Sequence, residues 1–250
     1  MPPRDWNADS YERMSAPLEA MGRDVLDRLH LRGDERVLDA GCGTGRVTAA
    51  LVERLPRGEV VAVDGSPAMV EAARDRLGDT VELRVADLVE LELERPVDAI
   101  LSTATFHWIA DHERLFARLL DVLKPGGRLV AQCGGAGNIS ALKTAAEQVG
   151  EQAPFASALA GWRGPWNFAG TTETAERLRR RGWVDVWTWF QQVRVQPDDP
   201  YEYLGTVALG EHLERLEPDL RDGFVDAVLA ELDEPVVDYL RLNILARRPS

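Results

Sequence analysis

The sequence predicts an α/β protein built on a doubly wound, mostly parallel sheet of seven strands with an antiparallel last strand. Three observations support this prediction. Short apolar runs alternate with helical segments from about residue 35 to residue 135, a glycine-rich loop joins the first run to the first helix, and two long apolar runs follow later in the chain. Strands and helices that alternate at this spacing are typical of right-handed βαβ units.

Five short strands are predicted in the first part of the chain, over residues 36–40, 59–63, 81–85, 97–102 and 128–133. Helices are predicted between them over residues 44–55, 67–77 and 111–123. Pro67 suits the first turn of its helix, where the missing N–H costs nothing. The run Lys-Pro-Gly-Gly at 124–127 is expected to end the third helix.

The rest of the chain predicts helices over residues 140–149 and 171–181 and long strands over residues 184–195 and 236–246. Leucines and valines at helical spacing over residues 199–233 indicate a helical cap inserted between these strands, which we place at residues 196–235. Apolar residues at helical spacing also predict a helix within residues 1–30. We expect one domain, residues 1–250, with residues 1–30 as an N-terminal helix and lid.

Composition and charge exclude several classes of protein. The chain is 45% hydrophobic and 28% charged, as in ordinary globular proteins. Its 42 acidic against 29 basic residues give a net charge of −13, which argues against a nucleic-acid partner. No apolar run is long enough to span a membrane or to form a signal peptide, and two cysteines do not make a disulfide scaffold. We therefore expect a cytoplasmic protein without a membrane partner, as a monomer or homodimer.

The loop Asp39-Ala40-Gly41-Cys42-Gly43-Thr44-Gly45 is the first candidate for a binding site. Its glycines allow positive φ and a close approach of a ligand to the backbone, and the helix that follows offers N–H groups. The dinucleotide pattern G-x-G-x-x-G would require glycine at position 46, which is Arg46. Asp39, at the end of the strand, is placed to face an ammonium group.

Two further acidic residues follow the next strands. Asp64 ends the second strand, where a carboxylate can accept hydrogen bonds from ribose hydroxyls. Asp87 follows the third strand, where a carboxylate can hold the exocyclic amine of adenine. The alternative interpretation is that Asp39, Asp64 and Asp87 are loop and capping residues of a purely structural sheet. Their joint spacing on predicted strand ends favours the binding site.

The glycine loop, Asp64, Ala86-Asp87 and the run 123–127 together resemble a class I S-adenosylmethionine-dependent methyltransferase, a Rossmann-like fold. The resemblance implies that the glycine loop holds the methionine part of S-adenosylmethionine, Asp64 its ribose and Asp87 its adenine. The cofactor-binding residues that it implies are Asp39, Gly41, Cys42, Gly43, Gly45, Asp64, Gly65, Ser66, Ala86, Asp87, Leu88, Ser102 and Tyr11. Cys42 and Cys133 are given no catalytic role.

Several segments are similar to the trans-aconitate methyltransferase branch of that family: 66–69, His107-Trp108, Asp111-His112, the run 241–248, and the lead-in 5–7 with Tyr11. In such enzymes the lead-in often folds over the cofactor. The likeness is weaker across residues 138–240, which are expected to build the acceptor pocket. The resemblance therefore implies a small-molecule acceptor without naming it.

His107 and Trp108 follow the fourth strand and are the candidates nearest the transferable methyl group. His107 is a candidate general base for a hydroxyl or amine acceptor, and alternatively a hydrogen-bonding or surface residue. A carboxylate acceptor would need no base. Trp108 is expected to contact the sulfonium or the acceptor, or else to pack in the core.

The variable region offers further candidates for the acceptor site. Trp162 and Trp166, in a loop rich in glycine and proline, are predicted pocket walls, whereas Trp183, Trp187 and Trp189 alternate on one strand face and are predicted to pack in the core. The cations that could bind a carboxylate are Arg163, Arg194 and Arg241. His30, His112 and His212 do not cluster with cysteines at metal-ligand spacing, so no metal is predicted.

The function that these observations favour is transfer of a methyl group from S-adenosylmethionine to a small molecule by direct in-line displacement, with a carboxylate as one candidate acceptor. A nicotinamide or flavin oxidoreductase would share the sheet and the glycine loop, but the early third glycine and Asp87 count against it. A cofactor-binding partner protein without catalysis is the second alternative.

Overall fold

The computed structural model describes Trp6, Glu12 and residues 16–250. Its centre is a seven-stranded sheet in the order β3-β2-β1-β4-β5-β7-β6. The strands are β1 (Arg36–Ala40), β2 (Glu59–Asp64), β3 (Glu82–Val85), β4 (Val97–Thr103), β5 (Leu123–Gly134), β6 (Val184–Val195) and β7 (Val237–Arg247). β1 to β5 pair in parallel, and β7 runs antiparallel to both β5 and β6. The predicted sheet with its antiparallel last strand is confirmed.

The helices are α1 (Ala16–Asp27), α2 (Arg46–Glu53), α3 (Pro67–Leu77), α4 (His112–Asp121), α5 (Ser140–Gly150), α6 (Ala156–Leu159), α7 (Thr171–Arg180), α8 (Pro200–Tyr203), α9 (Gly210–Arg215) and α10 (Pro218–Ala230). α6 lies in a segment predicted as a loop. Within the described residues no helix is long and apolar enough to cross a membrane.

Local sequence explains where the helices beside the site begin. The Ser66 hydroxyl accepts a hydrogen bond from the Met69 N–H at 3.2 Å, and Pro67 occupies the first turn of α3. The Asp111 carboxylate likewise accepts from the Arg114 N–H at 2.9 Å and caps α4. Ser66 stands just after β2, so the turn from this strand into α3 is fixed locally, whereas Asp111 follows β4 after a longer loop.

Three apolar cores hold the elements together. One core lies between α1, α2 and one face of the sheet, and a second lies between α4, α7 and the opposite face. A third core joins α5, α6, α8, α9 and α10 with residues at the ends of β6 and β7, including Val195 and Tyr239. The region predicted as a helical cap, residues 196–235, therefore shares an apolar core with α5 and α6 beside the sheet.

The order in which successive strands are added to the sheet reverses between β1 and β4. β2 and β3 follow on one side of β1, whereas β5 lies beyond β4 on the other side. The loops after β1 and β4 therefore diverge, which leaves a crevice at the carboxyl ends of these strands. Because β7 is antiparallel, its first residues reach the same edge of the sheet.

Two sequence-based expectations are corrected by the sheet. β5 begins at Leu123 and not at 128, because Leu123 already pairs with Val97 before the register shifts. Trp187 is 68% exposed and does not pack in the core, whereas Trp183 is buried. The register of β6 shifts between Val184 and Trp187, which breaks the alternation, and β6 is an edge strand.

A buried carboxylate fixes the turn that leads into β1. Glu35 is 1% exposed, and it accepts hydrogen bonds from the N–H groups of Arg32 (2.9 Å) and Gly33 (2.9 Å) and from the Arg128 guanidinium (3.1 Å). Burial opposes ionisation, but these donors outweigh it and lower the pKa of Glu35 to about 2. Glu35 is therefore ionised wherever the protein is folded near neutral pH.

We expect Glu35→Gln to lower the free energy of unfolding at pH 7 by about 2 kcal/mol, because the amide leaves donors of the turn unpaired. The pKa of Glu35 is lowered on folding, so its contribution is fully present above about pH 5 and is lost as the pH falls toward about 2. Urea unfolding at several pH values measures this. Glu53→Gln, at an exposed position of α2, is the control and should change little. A loss that stays equal at pH 3 and pH 7 would show that charge is not the cause.

Candidate functional site

The loop after β1 contains Gly41, Gly43 and Gly45, which all have positive φ (88°, 53° and 80°, respectively) but different surroundings. A Cβ on Gly41 would lie 2.0 Å from the Thr105 hydroxyl oxygen, and one on Gly45 would lie 2.9 Å from the Leu77 side chain in α3. A Cβ on Gly43 would meet nothing within 4 Å. Gly41 and Gly45 thus permit close packing, whereas Gly43 borders open space.

Asp64 links the end of β2 to this loop. Its two carboxylate oxygens accept hydrogen bonds from the N–H groups of Gly43 and Ser66, each at 2.9 Å. Burial raises the pKa of Asp64 above its usual value, although these N–H donors oppose the rise. A carboxylate can accept about four hydrogen bonds, so Asp64 retains acceptor capacity toward the crevice.

Asp39 lies behind the loop. Its carboxyl is 1% exposed, and one oxygen accepts a hydrogen bond from the Thr48 hydroxyl at 2.7 Å. The other oxygen, Oδ1, is buried and has no hydrogen-bond partner among the described residues. Burial raises the pKa of Asp39 to about 7, and the nearby charge of Asp64 adds to the effect. A positive ligand charge in the crevice would favour ionisation of both acids.

These loops line a cavity of about 380 Å³, within the range of small-molecule sites. At one end it is bordered by the first group of predicted residues: Gly41, Gly43, Asp64, Gly65, Ser66, Ala86, Asp87 and Leu88. The Asp87 carboxylate accepts a hydrogen bond from the Val89 N–H at 3.1 Å, which turns the chain after β3. The structure thus brings eight of the predicted cofactor-binding residues to one cavity.

Aromatic side chains form the other end of the cavity, with Trp108, Trp166 and Phe168 among its walls. The rings of Trp166 and Phe168 stack with centroids 5.6 Å apart, and Trp6 meets Trp108 edge to face at 5.0 Å. The backbone N–H of Trp6 also donates a hydrogen bond to the Ser66 hydroxyl at 3.1 Å. Trp6 therefore bridges the two ends of the cavity.

His107 lies in the wall between them and is 7% exposed. Its Nδ1 accepts a hydrogen bond from the Gly134 N–H at 3.2 Å, so in the neutral ring the proton is on Nε2. Burial lowers the pKa of His107 well below 6.5, and the charge of Arg241 lowers it further. His107 is therefore neutral at pH 7 and carries a hydrogen-bond donor at Nε2.

Arg241 enters the cavity from β7 and is 3% exposed. Its Nε donates to the Gln132 side-chain oxygen at 3.3 Å. The centre of the guanidinium lies 5.5 Å from the ring of Tyr239, which also lines the cavity. A buried guanidinium in a cavity wall is suited to bind an anionic group of a ligand.

Several predicted site residues do not line the cavity. Asp39, Cys42, Gly45 and Ser102 lie behind its wall; the Ser102 hydroxyl, for example, donates to the Ala40 carbonyl at 2.6 Å and joins β4 to β1. Tyr11 lies outside the described residues.

Three candidates for the acceptor site do not line the cavity. Trp162 is half-buried, packs edge to face on His212 at 4.6 Å and lies against the apolar core of the cap. The Arg163 side chain is 80% exposed and lies 3.6 Å from Glu147. Arg194 pairs with Glu234 at 2.5 Å on the exposed face of β6.

Other cavity residues were not identified from the sequence, among them Met69, Thr105, Asn138, Phe168 and Tyr239. Asn138 and Tyr239 reach the cavity because β7 is antiparallel: the Asn138 side-chain oxygen accepts from the Leu240 N–H at 2.9 Å. The antiparallel direction predicted for the last strand already implies that residues 237–241 lie at the carboxyl edge of the sheet.

Comparison with known proteins agrees with this geometry. Residues 37–127 match the family model described as "Methyltransferase domain". Among curated relatives, the trans-aconitate 2-methyltransferase of Methylobacterium radiotolerans is 30% identical over 98% of this chain and 99% of its own. That of Azoarcus sp. is 32% identical over 91% of this chain and 89% of its own.

Solved structures share the fold. Phosphoethanolamine N-methyltransferase 2 of Haemonchus contortus, solved with phosphomonomethylethanolamine and S-adenosylhomocysteine, superposes with a TM-score of 0.66 at 20% identity over 97% of this chain and 57% of that chain. The YcgJ protein of Bacillus subtilis gives a TM-score of 0.64 at 19% identity over 92% of this chain and 98% of that chain. Neither the oxidoreductase nor the non-catalytic alternative is favoured. The chain belongs to the S-adenosylmethionine-dependent methyltransferases, within the family of the trans-aconitate 2-methyltransferases.

Proposed function

We propose that the protein transfers the methyl group of S-adenosylmethionine to a carboxylate oxygen of a small molecule, which yields a methyl ester. One observation carries the choice of a carboxylate: the buried guanidinium of Arg241 and the neutral His107 lie at the acceptor end of the cavity. A cation beside a neutral imidazole suits an anionic nucleophile. The names of the curated relatives also support a carboxylate acceptor.

We propose that the cofactor occupies the end of the cavity formed by the loops after β1, β2 and β3. The open space at Gly43 fits the methionine part, the remaining acceptor capacity of Asp64 fits the ribose hydroxyls, and Asp87 is placed for the adenine amine. Asp39 would act from behind the loop. Its negative charge, together with that of Asp64, would stabilise the positive charges of the cofactor.

When bound, the cofactor supplies an electrophilic methyl carbon: an acceptor oxygen forms the new O–C bond while the S–C electron pair returns to sulfur. The protein's part is to align and enclose the reactants, which can supply roughly 7–11 kcal/mol of barrier lowering. Arg241 would hold the carboxylate, His107 Nε2–H would donate to it, and Trp108 would line the path between the two ligands. Trp6 and the helical cap would exclude water.

A general base is not required for this reaction, because a carboxylate is already ionised at neutral pH. His107 is also unsuited to that role, since Nδ1 accepts from Gly134 and Nε2 carries the proton. We propose that His107 is a hydrogen-bond donor, which revises the expectation of a catalytic base.

We further propose that residues 1–30 serve as a lid and residues 196–235 as the cap of a single domain. The support for the lid is that Trp6 contacts Trp108 and that the Glu12 carboxylate binds the Thr44 hydroxyl and the guanidinium groups of Arg46 and Arg76. The two cysteines are buried and unpaired, which supports a reducing cytoplasmic location. We also propose that the protein is a monomer or a homodimer.

We expect Gly43→Ala to weaken binding of S-adenosylhomocysteine by at least tenfold, because the new Cβ would occupy the open space beside the loop. Gly78→Ala is a matched control: Gly78 has φ of 58°, and a Cβ there would also meet nothing within 4 Å, but it does not line the cavity. Both positions have positive φ (53° and 58°), so both variants carry backbone strain, of order 1 kcal/mol or more. Calorimetric titration measures the affinity. Equal loss in both variants would remove Gly43 from the binding site.

Asp64→Ala is expected to reduce the affinity for S-adenosylhomocysteine by about a hundredfold or more, since a buried ribose would lose a charged hydrogen-bond acceptor. The fold should survive, as judged by thermal unfolding and circular dichroism. Asp75→Ala, at an exposed position of α3, provides the control and should bind normally. Unchanged affinity in Asp64→Ala would refute the ribose assignment.

We expect kcat, at saturating cofactor and acceptor, to vary less than about twofold between pH 6 and pH 8, because the pKa of His107 lies well below 6.5 and the positive charge of the bound cofactor would keep Asp39 ionised. His107→Asn, which retains an acceptor for the Gly134 N–H, should reduce kcat by less than about tenfold. Loss of a general base would cost about 10²–10⁴. A rate that falls with a midpoint near pH 6.5 would contradict the assignment.

A further inference from the structure

The aromatic end of the cavity is formed by two segments that lie far apart in the sequence. One is the loop after β4, residues 104–111, which we call the β4 loop, and the other comprises residues 165–169, which we call the wall segment. We propose that Asn167 is a positioning residue for methyl transfer, because it fastens the wall segment to the β4 loop and thereby fixes the shape of the acceptor end. This inference rests on the proposed function, which places the acceptor at that end.

Asn167 joins the two segments by hydrogen bonds from both its main chain and its side chain. Its main-chain N–H donates to the His107 carbonyl at 2.8 Å. Its side-chain amide donates to the Ile109 and Ala110 carbonyls, each at 3.0 Å. A primary amide offers two N–H donors without a charge, which suits a pair of neighbouring carbonyl groups. One residue of the wall segment therefore binds three carbonyl groups of the β4 loop.

The residues on either side of Asn167 carry the rings of the wall segment. Trp166 and Phe168 line the cavity, whereas Asn167 does not, and the two rings stack with an interplanar angle of 9°. Phe168 also stacks on His107, with ring centroids 5.8 Å apart. Trp166 lies beside Trp108, with ring centroids 6.5 Å apart. Each ring of the wall segment thus contacts a ring of the β4 loop, and Asn167 holds both pairs together from the chain between them.

The wall segment depends on such side-chain contacts because it has little regular secondary structure. None of its residues belongs to a helix or a strand, and a single bridge links Ala169 to Gly135. On the side of β5, a Cβ on Gly134 would lie 2.6 Å from the Phe168 ring, so the ring already lies close to that strand. The wall segment is thus held between β5 and the β4 loop, and Asn167 supplies hydrogen bonds on the side of the loop.

The β4 loop keeps its own course by other contacts. His112 Nε2 lies 2.8 Å from the Phe106 carbonyl, and the Trp108 N–H donates to the Thr105 carbonyl at 2.9 Å. Loss of the Asn167 amide should therefore leave the loop folded and change its separation from the wall segment. The acceptor would then be less well aligned with the methyl carbon, while the cofactor end, formed by the loops after β1, β2 and β3, would be unaffected.

The test compares Asn167→Asp with the wild type. This change keeps the size of the side chain but removes both N–H donors and turns a carboxylate toward two carbonyl oxygens. We expect KM for the acceptor to rise by about tenfold and kcat to fall by about tenfold, since a misplacement of about 1 Å can cost about a hundredfold in rate. The affinity for S-adenosylhomocysteine should change by less than about twofold. Asn167→Ala, which adds no charge, should shift KM and kcat in the same directions by about fivefold.

Methyl transfer is measured from labelled S-adenosylmethionine to trans-aconitate, succinate and 3-phenylpropanoate, and the acid that the wild type methylates with the highest kcat/KM serves for the variants. Hydrogen exchange followed by mass spectrometry should show faster exchange in residues 104–111 and 165–169 of both variants. It should show no change in the strands β1 to β3.

Arg248→Met is a matched control. The Arg248 guanidinium also donates to main-chain carbonyls, those of Leu120, Asp121 and Leu123, but none of these residues lines the cavity. This variant should keep the wild-type KM and kcat per cofactor-binding site, even where its Tm falls. A merely structural role of Asn167 would reduce kcat and the fraction of protein that binds S-adenosylhomocysteine in proportion, with KM for the acid unchanged.

That proportional loss in both Asn167 variants would overturn this inference and leave the proposed function intact. So would wild-type kinetics in both variants, or exchange at the wild-type rate in the β4 loop and the wall segment. If the wild type methylates none of the three acids although it binds S-adenosylhomocysteine, the proposed function and this inference fail together.

Discussion

The loops that follow β1 and β4 meet where Gly41 lies against Thr105. A Cβ on Gly41 would come within 2.0 Å of the Thr105 hydroxyl oxygen, and that hydroxyl donates to the Thr103 carbonyl at 2.9 Å. The contact fixes the separation of the two loops at the point where the sheet changes its direction of growth. Gly43 then borders the crevice on one side, and His107 and Trp108 border it on the other. The cofactor end and the acceptor end of the cavity are thus positioned by the same contact.

Electrostatics divides the cavity in the same way. Two buried acids, Asp39 and Asp64, lie at the loop after β1, and burial raises the pKa of both. Such carboxylates are suited to a ligand that brings positive charge, as a sulfonium does. Arg241 lies at the far end and suits a negative ligand. Two ligands of opposite charge would therefore each be attracted to a different end of the cavity.

Local patterns in the sequence were enough to predict the strands β1 to β4, the glycine loop, and the positions of Asp64 and Asp87 at the cavity, because each depends on a strand end and the turn directly after it. The sequence was less informative where the outcome depends on contacts between distant segments. Trp162 packs against the core of the cap through His212, and Trp187 is exposed because the register of β6 shifts and β6 forms an edge. Asn138 and Tyr239 reach the cavity only through the pairing of β5 with β7.

The Glu12 carboxylate gathers three groups that belong to the glycine loop and its helices: the Thr44 hydroxyl and the guanidinium groups of Arg46 and Arg76. These ion pairs are partly exposed, so their strength decreases as ionic strength rises. The same contacts hold Glu12 against the glycine loop, while Trp6 contacts Trp108 at the cavity. With these two residues as parts of the lid that we propose, salt concentration would act on how long a ligand stays enclosed. An enzyme limited by release of its product would then turn over faster in higher salt while it binds its cofactor less tightly.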